Sequence, residues 1–154
     1  MVIQVDTREK QRAVKQILKT FDARGIKHIS SKLFVGDYMA LENPRVVVDR
    51  KQNLLEVCQN VCQDHDRFRA ELIRARDVGI QVVVLVEHGD GIRSLEDVIF
   101  WENPRRAESP KALTGERLYK ILKTLVRKYG VEFDFCDKSE TGERIIEWLT
   151  TAGG

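Results

Sequence analysis

The sequence predicts an α/β sandwich, a central mixed β-sheet flanked by helices, and two observations carry that expectation. Strand-like and helical-period segments alternate along the whole chain, in the order strand, helix, three strands, helices, strand, helix, strand, helix. One of them, Val82 to Val86, is apolar at every position, as a strand must be when both of its faces are covered. With 154 residues the chain is sized for one core, so a single domain over 1–154 is expected.

Taken in order, Val2-Ile3-Gln4-Val5 opens as a strand. Val14, Ile17, Leu18 and Phe21 then repeat at i, i+3, i+4, i+7, which predicts a helix over about residues 9 to 24, ended by Gly25. Lys27 to Phe34 is a second strand-like run that leads to Gly36. Tyr38 to Leu41 and Arg45 to Val48 read as a hairpin joined through Glu42-Asn43-Pro44. Leu54, Leu55, Cys58, Val61 and Cys62 mark one helix, and Phe68, Leu72 and Ala75 mark another that stops at Gly79, ahead of the strand Ile80 to Val86. Leu118, Ile121, Leu122, Leu125 and Tyr129 give the clearest amphipathic helix. Val131 to Phe135 is a short strand, Ile145, Ile146 and Leu149 belong to a closing helix, and Gly153-Gly154 is a tail. Residues 102 to 112 hold two of the three prolines and read as a mobile surface loop.

Composition narrows the function classes. Apolar residues make up 42% and charged residues 32%, a globular balance without a run of eighteen apolar residues to span a bilayer. The N-terminus lacks the zones of a signal peptide, so the cytoplasm is expected and a membrane partner is not. Three cysteines suit a reducing compartment, and Cys58 and Cys62 fall on the apolar face of their helix as packing residues. The net charge of +2 says little, but residues 105 to 128 carry eight basic residues against two acidic ones. A phosphate backbone would be drawn to that stretch, with Lys120, Lys123 and Arg127 as the candidate contacts; a solvated helix face is the alternative.

The chemistry sits around the hairpin. Asp37 lies six residues before Asn43 and Asp49 six after it, so symmetric antiparallel pairing would set the two acids opposite each other. Opposed side chains share a face with Cβ atoms roughly 4.5–5.5 Å apart, and like charges so placed repel unless a cation lies between them. Asp49 and Lys51 are two apart and project to the same side of an extended strand, while Arg50 points the other way. Two acids and an amine suit phosphodiester hydrolysis, in which a hard cation polarises the phosphate and an ammonium stabilises charge. Exposed acids beside a surface lysine are the alternative on spacing alone.

Three stretches carry a family resemblance: Val5-Asp6-Thr7-Arg8-Glu9, Val35-Gly36-Asp37-Tyr38 and Val47-Val48-Asp49-Arg50-Lys51. They resemble the successive motifs V-D-x-R-E, G-D-Y and V-E-R-K of the XPF/Mus/Hef (ERCC-type) structure-specific nucleases, and the similarity continues through Asp66-Arg67-Phe68 to about residue 90. The resemblance implies a restriction-endonuclease-like three-layer sandwich of the PD-(D/E)xK class. In it Asp37, Asp49 and the backbone carbonyl of Arg50 would bind Mg²⁺ or Mn²⁺, and Lys51 would be the catalytic lysine. Asp6 would be a further catalytic acid supported by Arg8 and Glu9, with a helix N-terminal acid as its alternative reading, and Arg67 would meet DNA.

Two positions depart from the family pattern: Asp49 replaces the usual glutamate, and Leu55 stands where relatives place an aspartate. No tandem helix-hairpin-helix module is recognisable in the chain. The expected activity is metal-dependent cleavage of DNA, branched or flapped, in repair or recombination, by a homodimer that uses the helices after residue 91, as the apolar richness of 94–101 suggests. A nuclease-like scaffold that binds DNA or a partner without cutting is the second reading.

Overall fold

The computed structural model describes residues 1–151; the Gly153-Gly154 tail lies outside the described residues. Six strands form one sheet: β1 (Val2–Asp6), β2 (Lys27–Ser31), β3 (Tyr38–Ala40), β4 (Asn43–Lys51), β5 (Gln81–Glu87) and β6 (Glu132–Cys136). Their order is β2-β1-β3-β4-β5-β6, with β3 antiparallel to both its neighbours and every other pairing parallel. The helices are α1 (Gln11–Ala23), α2 (Leu54–Cys62), α3 (His65–Asp77), α4 (Gly115–Tyr129) and α5 (Thr141–Thr150).

Alternation along the strands divides the core into two layers. Val47, Val82, Val84 and Val86 face α2, α3 and α4, where Leu54, Phe68, Leu72, Leu118 and Leu122 bury against them. Val46, Val48, Val83 and Leu85 face α1 and α5, where Ile17, Phe21, Ile145 and Leu149 close the other side. This is the three-layer sandwich expected, and the uniformly apolar run lies in β5, between β4 and β6. Local chemistry fixes the helix ends near the site. Asn53 Oδ1 accepts the Glu56 amide at the start of α2, and His88 Nδ1 accepts the Leu54 amide.

Several local expectations need correction. Asn43 is not the middle of a turn but the first residue of β4, and it pairs with Ala40. Its side-chain amide reaches across to the Leu149 and Thr151 carbonyls, and Pro44 has no N–H for the ladder, so the pairing shifts there through a bulge. Beyond the bulge Tyr38 pairs with Val48, which restores the register that a hairpin symmetric about Asn43 would have. Cys58 is buried, but Cys62 is exposed and does not pack in the core. Residues 102–112 are a surface loop, yet one braced from within. The Asn103 amide is buried, donating to the Leu113 carbonyl and accepting the Arg105 amide, and a short 3-10 turn follows it. A second 3-10 turn at Glu96–Phe100 buries Val98 and Trp101 and leaves Ile99 and Phe100 outside.

Candidate active site

One edge of the sheet gathers the motif residues, because β1, β4 and β5 end there and the antiparallel β3 begins there. Gly36 leads the chain into β3 at φ 76, and a Cβ on it would stand 3.0 Å from the Val47 side chain. Both facts demand glycine, and the resulting turn delivers Asp37 beside β4. The Asp37 amide donates to the Val48 carbonyl at 2.8 Å, and its carbonyl accepts the Asp6 amide at 2.8 Å. Its Oδ2 then accepts the Arg50 amide at 2.8 Å, so the side chain replaces the next main-chain rung. Since N–H and C=O of one strand residue leave on the same side, the Arg50 carbonyl points toward Asp37 as well.

Asp49 and Lys51 share one face of β4, with Lys51 Nζ 3.4 Å from Asp49 Oδ1 and 5.8 Å above the centre of the Phe68 ring. Asp37 is pushed well above the usual carboxylate range, first by burial and then by the charges of Asp49 and Glu9. Burial works against the Lys51 ammonium, but Asp49, Asp37, Glu56 and Glu71 together hold it above the ordinary lysine value. Lys51 is therefore a fixed positive charge at neutral pH.

A third acid, Glu71, was missed from sequence. It stands on α3 with Oε1 accepting the Gly36 amide at 3.1 Å, and burial followed by the charge of Asp49 raises its pKa. The available signal was an acid three residues after Phe68, flanking the Phe68-Leu72-Ala75 face that packs on the sheet.

Behind the site, on the α1/α5 face, Arg50 is buried between two glutamates. Its Nε donates to Glu9 Oε2 at 2.8 Å and its Nη1 to Glu87 Oε1. Tyr38 donates to Glu9 at 2.5 Å and Thr141 to Glu87 at 2.5 Å, so β3, β4, β5, α5 and the loop after β1 are tied through one guanidinium. Glu87 was also not foreseen, since nothing in the sequence separates it from any other strand-end acid.

Asp6 is near but committed elsewhere. Its Oδ1 accepts the Leu33 amide and Arg8 Nη2, and its Oδ2 accepts the Arg8 amide and Arg8 Nε, so its lone pairs are filled. Burial pushes its pKa up, but the bonds from Arg8 and Leu33 outweigh this and leave it lowered. These bonds order the chain beyond β1; α1 starts only at Gln11, so Asp6 is not an acid of that helix's first turn, and it lines the smaller cleft with Asp37 and Asp49. Arg8 stays at the rim as its partner, while Glu9 turns to Arg50. Glu56, next to the unexpected Leu55, accepts the Gln52 amide and so serves the start of α2.

Two clefts of about 1010 and 240 Å³ meet at Asp37, Asp49 and Lys51. Arg67 lines the smaller one beside Glu71; Lys10, Arg12, Arg105 and Lys138 rim the larger. Lys120, Lys123 and Arg127 line neither. Lys120 lies 3.8 Å from Glu116, and Lys123 covers the Tyr119 ring.

The residues fit one hard divalent cation. Asp49 is buried and Asp37 half-buried, the charge of Asp49 helps raise the pKa of Asp37, and both line one cleft beside the main chain of Arg50. Among the described residues no group of three or more acids, histidines or cysteines is placed to hold a metal ion by itself, so the two carboxylates would need main-chain oxygen, water or substrate phosphate to complete a site. A partial donor set of this kind suits a hard divalent cation that keeps several waters and takes one or two carboxylates plus substrate phosphate.

Comparison with protein families matches the ERCC4 domain to residues 5–147. Comparison with curated proteins gives no match. Among solved structures the fold is similar to that of XPF from Aeropyrum pernix, with 22% identity and a TM-score of 0.67 over 97% of this chain. The same archaeal protein in complex with DNA matches with 22% identity and a TM-score of 0.66 over 96% of this chain. The chain spans 63% and 62% of those two, respectively.

Proposed function

Since this chain belongs to the ERCC4 domain family, we propose that it is a divalent-metal-dependent DNA endonuclease, selective for branched or flapped DNA and acting in repair or recombination. The observation that carries this reading is the pair of half-buried Asp37 and buried Asp49, whose charges interact, with the Lys51 ammonium 3.4 Å from Asp49. Asp37, Asp49 and the Arg50 carbonyl would hold Mg²⁺ or Mn²⁺, which when bound supplies a Lewis acid for the phosphate and lowers the pKa of a coordinated water.

The chain's own residues do the rest. Lys51 keeps its proton and places a positive charge where the pentavalent phosphate gains negative charge. Arg67 meets a phosphate from the smaller cleft, and the rim cations of the larger cleft hold the strand in place. Arg50 takes no part in the chemistry directly. It locks β4 so that Asp49, Lys51 and its own carbonyl keep their geometry.

The test is incubation with Mg²⁺ or Mn²⁺ and a panel of forked, flapped, nicked and linear DNAs, with matched RNA as the competing substrate. Wild type is expected to cut DNA, and Asp49→Ala and Lys51→Ala to lose about 100-fold or more in rate. Equal cutting by the variants sinks the assignment. Retained DNA binding with no divalent-ion heat in calorimetry would turn the reading to a non-cutting scaffold. The fold also leaves Ile99 and Phe100 exposed on one turn, Phe100 by 79%, and we propose that a second copy covers this face to form a homodimer.

A further inference from the structure

A second groove, of about 370 Å³, runs between the C-terminal half of α2 and the chain from Asn103 to Arg117. Arg105, Lys111 and Arg117 line it, and among the described residues no carboxylate does, whereas both clefts at the catalytic centre are lined by acids. All three cations are exposed, and Glu116, the acid next to Arg117, lies toward Lys120 instead. Gln59 and Gln63 add amide donors to the same walls. Burial pushes the Cys58 thiol up to about 12 and raises that of Cys62 as well, so the two thiols in the lining offer no negative charge to a polyanion.

The groove is joined to the catalytic cleft, because Arg105 and Gln59 line both. Its outer wall is also fixed in shape. Asn103 closes the loop onto the Leu113 carbonyl at 3.0 Å, and Arg106 Nη1 donates to the Ala112 carbonyl at 2.9 Å. Arg105 and Lys111 are therefore carried on a braced segment, which reduces the ordering that binding would otherwise require. A polyanion leaving the catalytic centre on this side meets Arg105 first and then an acid-free channel.

We propose that this groove takes the sugar-phosphate backbone of the DNA flanking the scissile bond, with Arg105, Lys111 and Arg117 each meeting a phosphate. The inference rests on the nuclease reading of the adjoining cleft, and it moves the DNA contact from the outer row Lys120, Lys123 and Arg127 of α4 to the loop beside α2.

The experiment measures flapped-DNA affinity of the whole chain by fluorescence anisotropy between 50 and 200 mM salt in chelator, alongside a separate cleavage assay with metal. Two double variants are compared, Lys111→Ala with Arg117→Ala and Lys120→Ala with Lys123→Ala. Each lost phosphate contact removes about 0.9 from the slope of log affinity against log salt, so the groove variant should lose about 1.8. Its affinity drop across that fourfold salt range should then be about tenfold smaller than wild type's, while the α4 variant keeps the wild-type slope. An unchanged slope in the groove variant, or a decrease confined to the α4 variant, overturns the proposal. A reduced slope in a protein that cuts nothing keeps the groove and removes the nuclease reading. Cutting with an unchanged slope does the reverse, and no DNA binding overturns both.

Discussion

Asp37 is half-buried beside Asp49 and Glu9, and the backbone hydrogen bond that opposes their effect comes from the Arg50 amide. Its native pKa lies above the 3.8 of a free carboxyl, so the folded chain holds this proton more tightly than the unfolded chain does. Folding stability therefore falls as pH rises from about 4 through the native value. Asp37→Asn keeps an acceptor for the Arg50 amide and removes the charge. It should raise the melting temperature at pH 7, with the gap closing near pH 4, as thermal scans across that range will show. A lower melting temperature at pH 7 contradicts this. Saturating Mg²⁺ should raise wild type and leave the variant unmoved.

Arg50 behaves in the opposite way, since Arg50→Ala strands two buried carboxylates. A loss of about 3–5 kcal/mol in urea denaturation is expected. At this scale Asp37, Asp49 and Lys51 were legible because a hairpin and a two-residue alternation convert spacing directly into proximity. Glu71 and Glu87 were not, because their positions depend on how α3 packs and where β5 ends.

The elements themselves followed from hydrophobic period, and α1, α4 and β5 fall within a few residues of where Val14 to Phe21, Leu118 to Tyr129 and Val82 to Val86 placed them. The hairpin was less legible, because the bulge ahead of Val47 depends on Asn43 finding carbonyls on α5, more than a hundred residues away. The 3-10 turn at Glu96–Phe100 has no period to read, yet α4 is built around it. A Cβ at Gly115 would stand 2.4 Å from the Val98 carbonyl oxygen and 2.5 Å from that of Trp101. These are backbone atoms that cannot swing aside, so Gly115→Ala should destabilise the fold by about 1–3 kcal/mol in urea titration. An unchanged midpoint would mean that α4 and this turn do not meet so closely.

For the molecule as a whole, the sheet separates two jobs by face, with acids and amine toward α2 and α3 and the guanidinium clamp toward α1 and α5. If Ile99 and Phe100 form the homodimer contact, Phe100→Glu should halve the mass seen by light scattering while leaving the circular dichroism spectrum intact. A wild type already at monomer mass would refute that. The split between faces has a further consequence. Were β4 to dock one position out of step, an acid or the lysine would enter the place of Arg50 between Glu9 and Glu87, and the guanidinium would turn to the α2/α3 face and lose both glutamates. No mis-threaded molecule can then be stable yet idle, so the specific activity of refolded protein should track its native fraction in strict proportion.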